Sequence, residues 1–353
     1  MAEKVATYCT GNFLEAIYRR LNKPLSEFLL NDNDELWIAD LYKFIHGNCE
    51  LITDLESTEI IRRSIEKDAH DFNPNFKKLW KNGKVNFISD PDRFVKMENN
   101  EDFFRNKTNE LFLLSSSKVF CDGIEKKFGL VCSCPEMMDL NIPPLFIFEI
   151  KSLTKRGKIH SWDFLRGFRY PSNSAIIADN YLFQSKELMK DNILQILNQI
   201  LPPVLNESFD LTIFTREVNN LDFMHQFIYD NCLKNFPYKI NFSIGKVDIG
   251  SNGIHDRDII TNYCWYHSGA GFTLFKKQQD GVRILNDTKL FIYPLTHMGH
   301  YSNSIEIENE GASPIQASYF TALRSFRKIW KELPDKIGLY KTFVGVRKNR
   351  LLD

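Results

Sequence analysis

The order of apolar runs in the second half of the chain most narrows the folds that this sequence can adopt. Short apolar runs rich in β-branched residues alternate with amphipathic segments, and a hairpin pattern closes the series. We expect strands at 174–179, 209–215 and 238–247, with helices at 185–201 and 221–236 between them. Because strands that alternate with helices generally pair in parallel, the pattern predicts an α/β fold.

The first half of the chain repeats this alternation less regularly. Strands are predicted at 49–54, 110–115, 130–134 and 145–150, and helices at 11–30, 37–45, 58–68 and 118–128. The length suits two domains of common size. We therefore expect an N-terminal α/β domain at 1–160, with nuclease-like character, and a second α/β domain at 172–353 that contains a C-terminal helix.

Aromatic and basic side chains alternate in the segment between these domains, residues 161–171. We interpret this segment as a linker that packs between the two domains. The same alternation also suits stacking on nucleic-acid bases combined with contacts to phosphates.

A group of polar residues, His255, Asp256 and Arg257, immediately precedes an apolar run. Alternate residues of an extended strand share a face, so His255 and Arg257 should point the same way. Their imidazole and guanidinium groups suit a phosphate or a carboxylate. Within the fold, the partner expected for Arg257 is Asp179, at the end of a predicted strand. The alternatives are an external phosphate and an ordinary hairpin with charges at its mouth.

The segments around this group resemble the phospholipase-D-like fold, and within it the C-terminal domain of MIT-domain proteins. The matching segments are IIADNYLF at 176–183, FDLTIFTRE at 209–217, HDRDIITN at 255–262 and SGAGF at 268–272. The resemblance covers roughly residues 172–300 and does not extend to the N-terminal half. It implies a phospholipase-D-like α/β domain at the C-terminal end of the chain.

The resemblance also implies roles for individual residues, because catalytic members of this superfamily carry the motif HxKxxxxD, usually twice per active site. It places His255 as the nucleophile, Arg257 where a lysine holds phosphate, and Asn262 where an aspartate orients the histidine. Asparagine has no charge to stabilise an imidazolium, and the sequence has no second copy of the motif. Anion binding by these three residues is therefore expected. MIT-type relatives are membrane-associated binding modules, which points the same way.

A second catalytic pattern lies at Glu149 and Lys151, which match the ExK half of a restriction-endonuclease motif. That chemistry needs an upstream acid to hold a divalent metal, and Asp122 or Asp139 would supply it. Asp54 ends a predicted strand, where α/β sheets place ligands and where PIN-like nucleases hold a metal. The predicted ligands for Mg²⁺ or Mn²⁺ are Asp54, Asp122 and Glu149. The alternative is that these acids are structural.

The composition excludes a global electrostatic attraction to nucleic acid. The 45 Lys and Arg residues balance the 45 Asp and Glu residues, so a nucleic-acid ligand would need a local basic patch. The 7 cysteines form no CxxC pair, which predicts buried, reduced thiols instead of a zinc site or disulfides. The sequence has no signal-peptide core and no apolar run of membrane-spanning length, so we expect a cytoplasmic protein.

Two functional hypotheses follow from these patterns. In the first, the protein is directed to nucleic acid or another phosphate ligand and is a nuclease or effector of a bacterial defence system, a context that rests on association alone. In the second, it is a non-catalytic binding or scaffolding module with a degenerate phospholipase-D-like domain. A partner protein or a homodimer fits either hypothesis.

Overall fold

The computed structural model describes residues 3–20, 36–56, 87–216, 220–247, 257–297 and 314–353. These residues form helices together with parallel and mixed sheets, so the predicted α/β class is confirmed. The chain divides into two compact units. The first comprises residues 1–125, 130–147 and 295–318, and the second comprises residues 126–129, 148–294 and 319–353.

Five short parallel strands form the sheet of the first unit. They are β1 (Val5–Cys9), β2 (Cys49–Thr53), β3 (Phe87–Ser89), β4 (Leu111–Leu113) and β5 (Cys132–Ser133). Their order in the sheet is β3-β2-β1-β4-β5, so the chain begins at the centre, builds one side and then builds the other. The central strands β1 and β4 are almost wholly buried, as expected of a parallel sheet with both faces covered.

Local sequence explains where the helices of the first unit begin. They are α1 (Gly11–Arg20), α2 (Leu36–Lys43), α3 (Pro91–Asn99), α4 (Lys118–Phe128) and α5 (Met138–Asn141). The side chain of Asp90 accepts the N–H of Arg93 at 3.1 Å and caps α3, with Pro91 in the first turn. The hydroxyl of Ser117 accepts the N–H of Phe120 at 3.3 Å at the start of α4.

Aromatic side chains fill the core of the first unit. Tyr8 on β1 stacks on Phe112 of β4, with ring centroids 5.0 Å apart and ring planes 8° apart. Phe104, in a 3-10 turn, meets Phe112 edge to face at 5.0 Å. All three rings are buried, so the strongest packing lies around the two central strands.

Eight strands form a mixed sheet in the second unit. They are β6 (Glu149–Leu153), β7 (Ser174–Ala178), β8 (Phe209–Thr215), β9 (Ile240–Lys246), β10 (Arg257–Thr261), β11 (Cys264–Ser268), β14 (Thr288–Pro294) and β17 (Phe343–Gly345). Their order is β17-β9-β8-β7-β10-β11-β14-β6. The strands β7, β8 and β9 run parallel, and the other neighbouring pairs are antiparallel. Two separate hairpins pair β12 (Phe275–Gln278) with β13 (Gly281–Ile284), and β15 (Lys336–Ile337) with β16 (Tyr340–Lys341).

The predicted order of strand, helix, strand, helix and strand is present in the second unit, and an antiparallel pair of strands, β10 and β11, follows it. Its helices are α6 (Lys186–Asp191), α7 (Ile193–Ile200), α8 (Leu221–Asn231) and α9 (Pro314–Glu332), the last of which lies in this unit from Tyr319 onward. The single helix predicted over 185–201 is interrupted at Asn192, where the backbone leaves the helical region.

The structure corrects two predicted boundaries. The first residues of the strand predicted at 145–150 belong to a 3-10 turn, Pro143–Phe146. Strand β6 begins only at Glu149, in the sheet of the second unit. The segment 161–171, predicted as a linker, lies inside the second unit, whose main stretch begins at residue 148 instead of 172. Trp162–Phe168 forms a 3-10 helix there, and Trp162 is only 1% exposed.

Other expectations are settled more simply. All 7 cysteines are free and buried, which confirms the prediction for the thiols. No helix in the described ranges has both the length and the apolar character that membrane crossing requires. The helix predicted at 58–68 and the last half of the one predicted at 11–30 lie outside the described residues.

Candidate functional site

A cavity of about 230 Å³ lies beyond the carboxyl ends of β1, β2 and β4 in the first unit. The strands β1 and β4 are neighbours in the sheet, yet the chain leaves them toward opposite sides. The connections that follow such a pair diverge and leave a crevice, which is where open α/β sheets bind ligands. The polar lining side chains are Thr10, Asn12, Asp54, Glu98, Ser115 and Ser116. The apolar ones are Phe94, Met97, Leu114 and Phe120.

Asp54 forms one wall of this cavity. It directly follows β2, and its Oδ1 accepts the backbone N–H of Gly11, the first residue of α1, at 2.7 Å. The hydroxyl of Thr53 approaches the same oxygen at 3.4 Å. The partial positive charge of a helix N-terminus stabilises a carboxylate placed there. Asp54 is therefore held at the cavity by the start of α1.

Hydroxyl groups line the cavity after β1 and after β4. The hydroxyls of Thr10 and Ser115 are hydrogen-bonded to each other at 2.5 Å, which links the segment after β1 to the segment after β4. Thr10 also accepts the N–H of Phe13 at 3.3 Å and so caps α1. One lining side chain, Thr10, thus also fixes the start of a helix.

The lining combines acidic and hydroxyl groups with aromatic rings. Asp54 and Glu98 supply carboxylates, and no lysine, arginine or histidine is among the lining residues. Carboxylates and hydroxyls accept hydrogen bonds from ligand O–H and N–H groups, and rings such as Phe94 offer a surface for a flat apolar group. The arrangement suits a polyhydroxylated ligand that carries a planar ring.

Arg257 is the one residue of the predicted His255–Arg257 group that lies within the described residues; His255 and Asp256 lie outside them. Its Nε is 3.8 Å from Oδ1 of Asp179, and its guanidinium donates to the carbonyl of Gly269. The guanidinium carbon lies 5.4 Å from the centroid of the Tyr181 ring. The expected partner within the fold, Asp179, is thus beside Arg257.

Asp179 is held by the backbone on its other sides. Its carboxylate accepts the N–H of Tyr181 at 2.8 Å and the N–H of Phe272 at 2.7 Å. Burial raises the pKa of Asp179, and the two backbone hydrogen bonds and Arg257 oppose that rise. Gly271 permits this contact, because its φ is +88° and a Cβ there would lie 2.6 Å from Asp179 Oδ2.

Asn262, which the resemblance places in an anion site with Arg257, lies elsewhere. It follows the last residue of β10, whereas Arg257 is the first, and five residues of strand span roughly 16 Å. Its Oδ1 accepts the N–H groups of Asn173 and Ser174, each at 3.0 Å, and its side chain is fully buried. The prediction that Asn262 and Arg257 share an anion site is therefore corrected. The Asn262 amide instead binds the backbone at the start of β7.

Glu149 and Lys151 do lie together, on the edge strand β6. Lys151 Nζ is 2.6 Å from Glu149 Oε2, and it lies 5.6 Å from the centroid of the Phe168 ring. The two side chains thus neutralise each other on one face of the sheet, where alternate residues of a strand meet.

The predicted metal ligands are divided between the units. Asp54 and Asp122 belong to the first unit and Glu149 to the second. In the part of the chain that the structure describes, no three His, Cys, Asp or Glu side chains are grouped so as to hold a metal ion. The described residues therefore do not assemble the predicted Mg²⁺ or Mn²⁺ site.

No family model matches the chain, and no curated protein matches its sequence. The geometry of the sites carries the functional argument.

Sequence reasoning missed most of the cavity. It did not predict β1, although VATYC at 5–9 is followed by Thr10 and Gly11, a common strand-to-helix transition. The serine run 115–117 after a predicted strand was a further signal, because hydroxyls at a strand end often serve as caps or ligands. Glu98 had no such signal, since it lies on a helix that the sequence pattern did not indicate.

Proposed function

We propose that this protein is a phosphate-ligand protein that binds a nucleotide at the cavity beyond β1, β2 and β4. The observation that carries the proposal is the position of the cavity at the crevice between β1 and β4, where the strand order reverses. Nucleotides bind at this position in doubly wound α/β sheets, and a sheet of order 3-2-1-4-5 offers one such crevice.

The lining supports a nucleotide over a purely apolar ligand. Asp54 and Glu98 can accept hydrogen bonds from sugar hydroxyls, and Phe94 and Phe120 offer ring surfaces. Polar groups that converge in a partly apolar pocket are typical of small-ligand sites.

For the second unit we propose a non-catalytic, phospholipase-D-like binding module. The contacts of the motif residues support this. Arg257 lies beside Asp179, and Oδ1 of Asn262 accepts hydrogen bonds from the backbone N–H groups of residues 173 and 174. Nuclease activity, a metal cofactor, a role in bacterial defence, a partner protein or homodimer and a cytoplasmic location stay predictions.

Thermal unfolding of the full chain tests the nucleotide site. A ligand that binds only the folded state raises the unfolding midpoint, so we expect one class among nucleoside mono-, di- and triphosphates and dinucleotides to raise it. The change Ser116→Leu should fill the cavity and abolish the shift. The matched control is Asn99→Leu, which places the same side chain on an exposed position of α3. No shift with any of these ligands, or a shift that survives in Ser116→Leu, would contradict the proposal.

A cleavage assay separates this proposal from the nuclease hypothesis. The full chain is incubated with Mg²⁺ or Mn²⁺ and with RNA, single-stranded DNA or double-stranded DNA. Because Glu149 is paired with Lys151, we expect no cleavage that depends on Glu149. Cleavage that disappears in a folded Glu149→Ala variant would favour the nuclease instead.

A further inference from the structure

The charge of the cavity lining restricts which part of a nucleotide can enter it. Asp54 and Glu98 are the charged lining residues, and both are acids. The N-terminus of α1, which borders the cavity, already has the Asp54 carboxylate on the N–H of Gly11 at 2.7 Å. A phosphate inside would meet two carboxylates and no cation, and like charges in a partly desolvated site repel.

The size of the cavity points in the same direction. Pockets that bury drug-sized ligands usually hold roughly 300–1,000 Å³. A volume of about 230 Å³ is smaller than this range, so it holds one part of a nucleotide and leaves the rest outside.

Asp54 and Glu98 can accept hydrogen bonds from the part of the nucleotide that enters the cavity. In the described ranges both hydrogen bonds of Asp54 go to Oδ1, so Oδ2 remains to accept from a ligand. Glu98 is exposed on α3 and forms no hydrogen bond or ion pair with another described residue. Two carboxylate acceptors match the two vicinal hydroxyls of ribose, each of which donates one hydrogen bond.

From these contacts we infer that the cavity takes the ribonucleoside end of the ligand, with the ribose diol on Asp54 and Glu98 and the phosphate outside. The inference rests on the proposed nucleotide site and names its ligand class: ribonucleotides, in preference to 2′-deoxyribonucleotides. The base then lies toward Phe94, Met97 and Phe120.

Calorimetric titration of the full chain measures this preference directly. The probes are the 5′-monophosphates of adenosine, guanosine, cytidine and uridine, their 2′-deoxy counterparts and the free ribonucleosides. Loss of a hydroxyl that donates to a carboxylate should weaken binding by about tenfold or more. Loss of the 5′-phosphate should weaken it less than loss of the 2′-hydroxyl does.

Two variants and one control locate the effect. The preference for ribose should fall to about threefold or less in Asp54→Asn and in Glu98→Gln, which remove the charged acceptors. Asp54→Asn keeps an oxygen for the N–H of Gly11, and its unfolding midpoint reports whether the fold is retained. If Asp54→Asn does not fold, Glu98→Gln alone tests the inference, because Glu98 is exposed. The control Asp92→Asn removes a charge from the exposed start of α3, outside the cavity lining, and should keep the wild-type preference.

Three results would overturn the inference. If ribonucleotides and deoxyribonucleotides bind the wild type equally, the inference is wrong and the proposed nucleotide site stands. The same holds if the preference persists in both folded variants, because the diol then contacts other groups. If no nucleotide or nucleoside binds, the inference and the proposed function both fall.

Discussion

At the scale of single residues, the second unit uses its motif residues for contacts within the fold. Asp179 is 1% exposed, and its neighbours are two backbone N–H groups and the guanidinium of Arg257. A buried carboxylate that loses a charged partner keeps its desolvation penalty. Arg257 therefore has a structural role that does not depend on any ligand.

The change Arg257→Ala should destabilise the protein by about 1–3 kcal/mol at pH 7, because an ionised Asp179 then lacks its charged neighbour. The pKa of Asp179 is raised in the fold, so its contribution to stability is largest at low pH and declines as pH rises through the folded pKa. Arg257 attracts the Asp179 carboxyl only when it is ionised, so it offsets part of the loss of stability only at pH values where Asp179 is charged. The destabilisation should therefore shrink as the pH falls below the folded pKa.

Urea unfolding at pH 7 and at about pH 4 measures this difference. The control Arg283→Ala removes an exposed arginine from β13 and should change stability little at either pH. Equal destabilisation by Arg257→Ala at both pH values would show that Arg257 acts through packing, with no contribution from the charge of Asp179.

At the scale of elements, Asn192 decides how α6 and α7 are arranged. Its Oδ1 accepts the indole N–H of Trp162 at 3.2 Å and the backbone N–H groups of Leu274 and Phe275 at 3.0 and 2.8 Å. Its Nδ2 donates to the carbonyls of Leu188 and Phe275. One buried amide thus links the end of α6 to Trp162 and to the start of β12.

The change Asn192→Ala should destabilise the protein by about 2–4 kcal/mol, because it leaves three buried donors without their acceptor. Chemical unfolding followed by tryptophan fluorescence checks this, since Trp162 loses its hydrogen bond in the variant. On the neighbouring helix, Gln195→Ala serves as the control, because within the described ranges the Gln195 amide donates its hydrogen bond to the exposed carbonyl of Lys190 at 3.2 Å. A loss below about 1 kcal/mol would mean that water replaces the amide.

At the scale of the whole molecule, the units are not consecutive stretches of chain. The first unit takes residues 295–318 from late in the sequence, and the second takes residues 126–129 and begins its main stretch at 148. Cutting the chain at residue 172 would remove the edge strand β6 and the buried Trp162 from the second unit. The predicted domain boundary at residue 172 therefore loses its basis.

We expect a fragment of residues 148–353 to be markedly more stable than a fragment of residues 172–353. The longer fragment keeps the pairing of β6 with β14 and the hydrogen bond from Trp162 to Asn192. Expression, circular dichroism and thermal unfolding of the two fragments measure the difference. Equal stability of both would show that residues 148–171 add little to the second unit.

The sequence by itself determined the class of fold and the order of elements in the second unit. Apolar periodicity is a local property, so the strands β7, β8 and β9 could be read directly from it. Asp54 as a strand-end acid and Asp179 as a neighbour of Arg257 followed from the rule that strand ends gather at one edge.

Only the tertiary structure decided which distant residues meet. Two neighbouring residues late in the sequence show this. Arg350 binds the fully buried Asp210 at 3.1 Å, and Asn349 accepts a hydrogen bond from Ser174 at 2.7 Å. Likewise the cavity joins Thr10, Asp54 and Ser115, which are far apart in the chain. No local pattern encodes such meetings. They follow from the order in which strands pair, and that order depends on burial summed over the whole sheet.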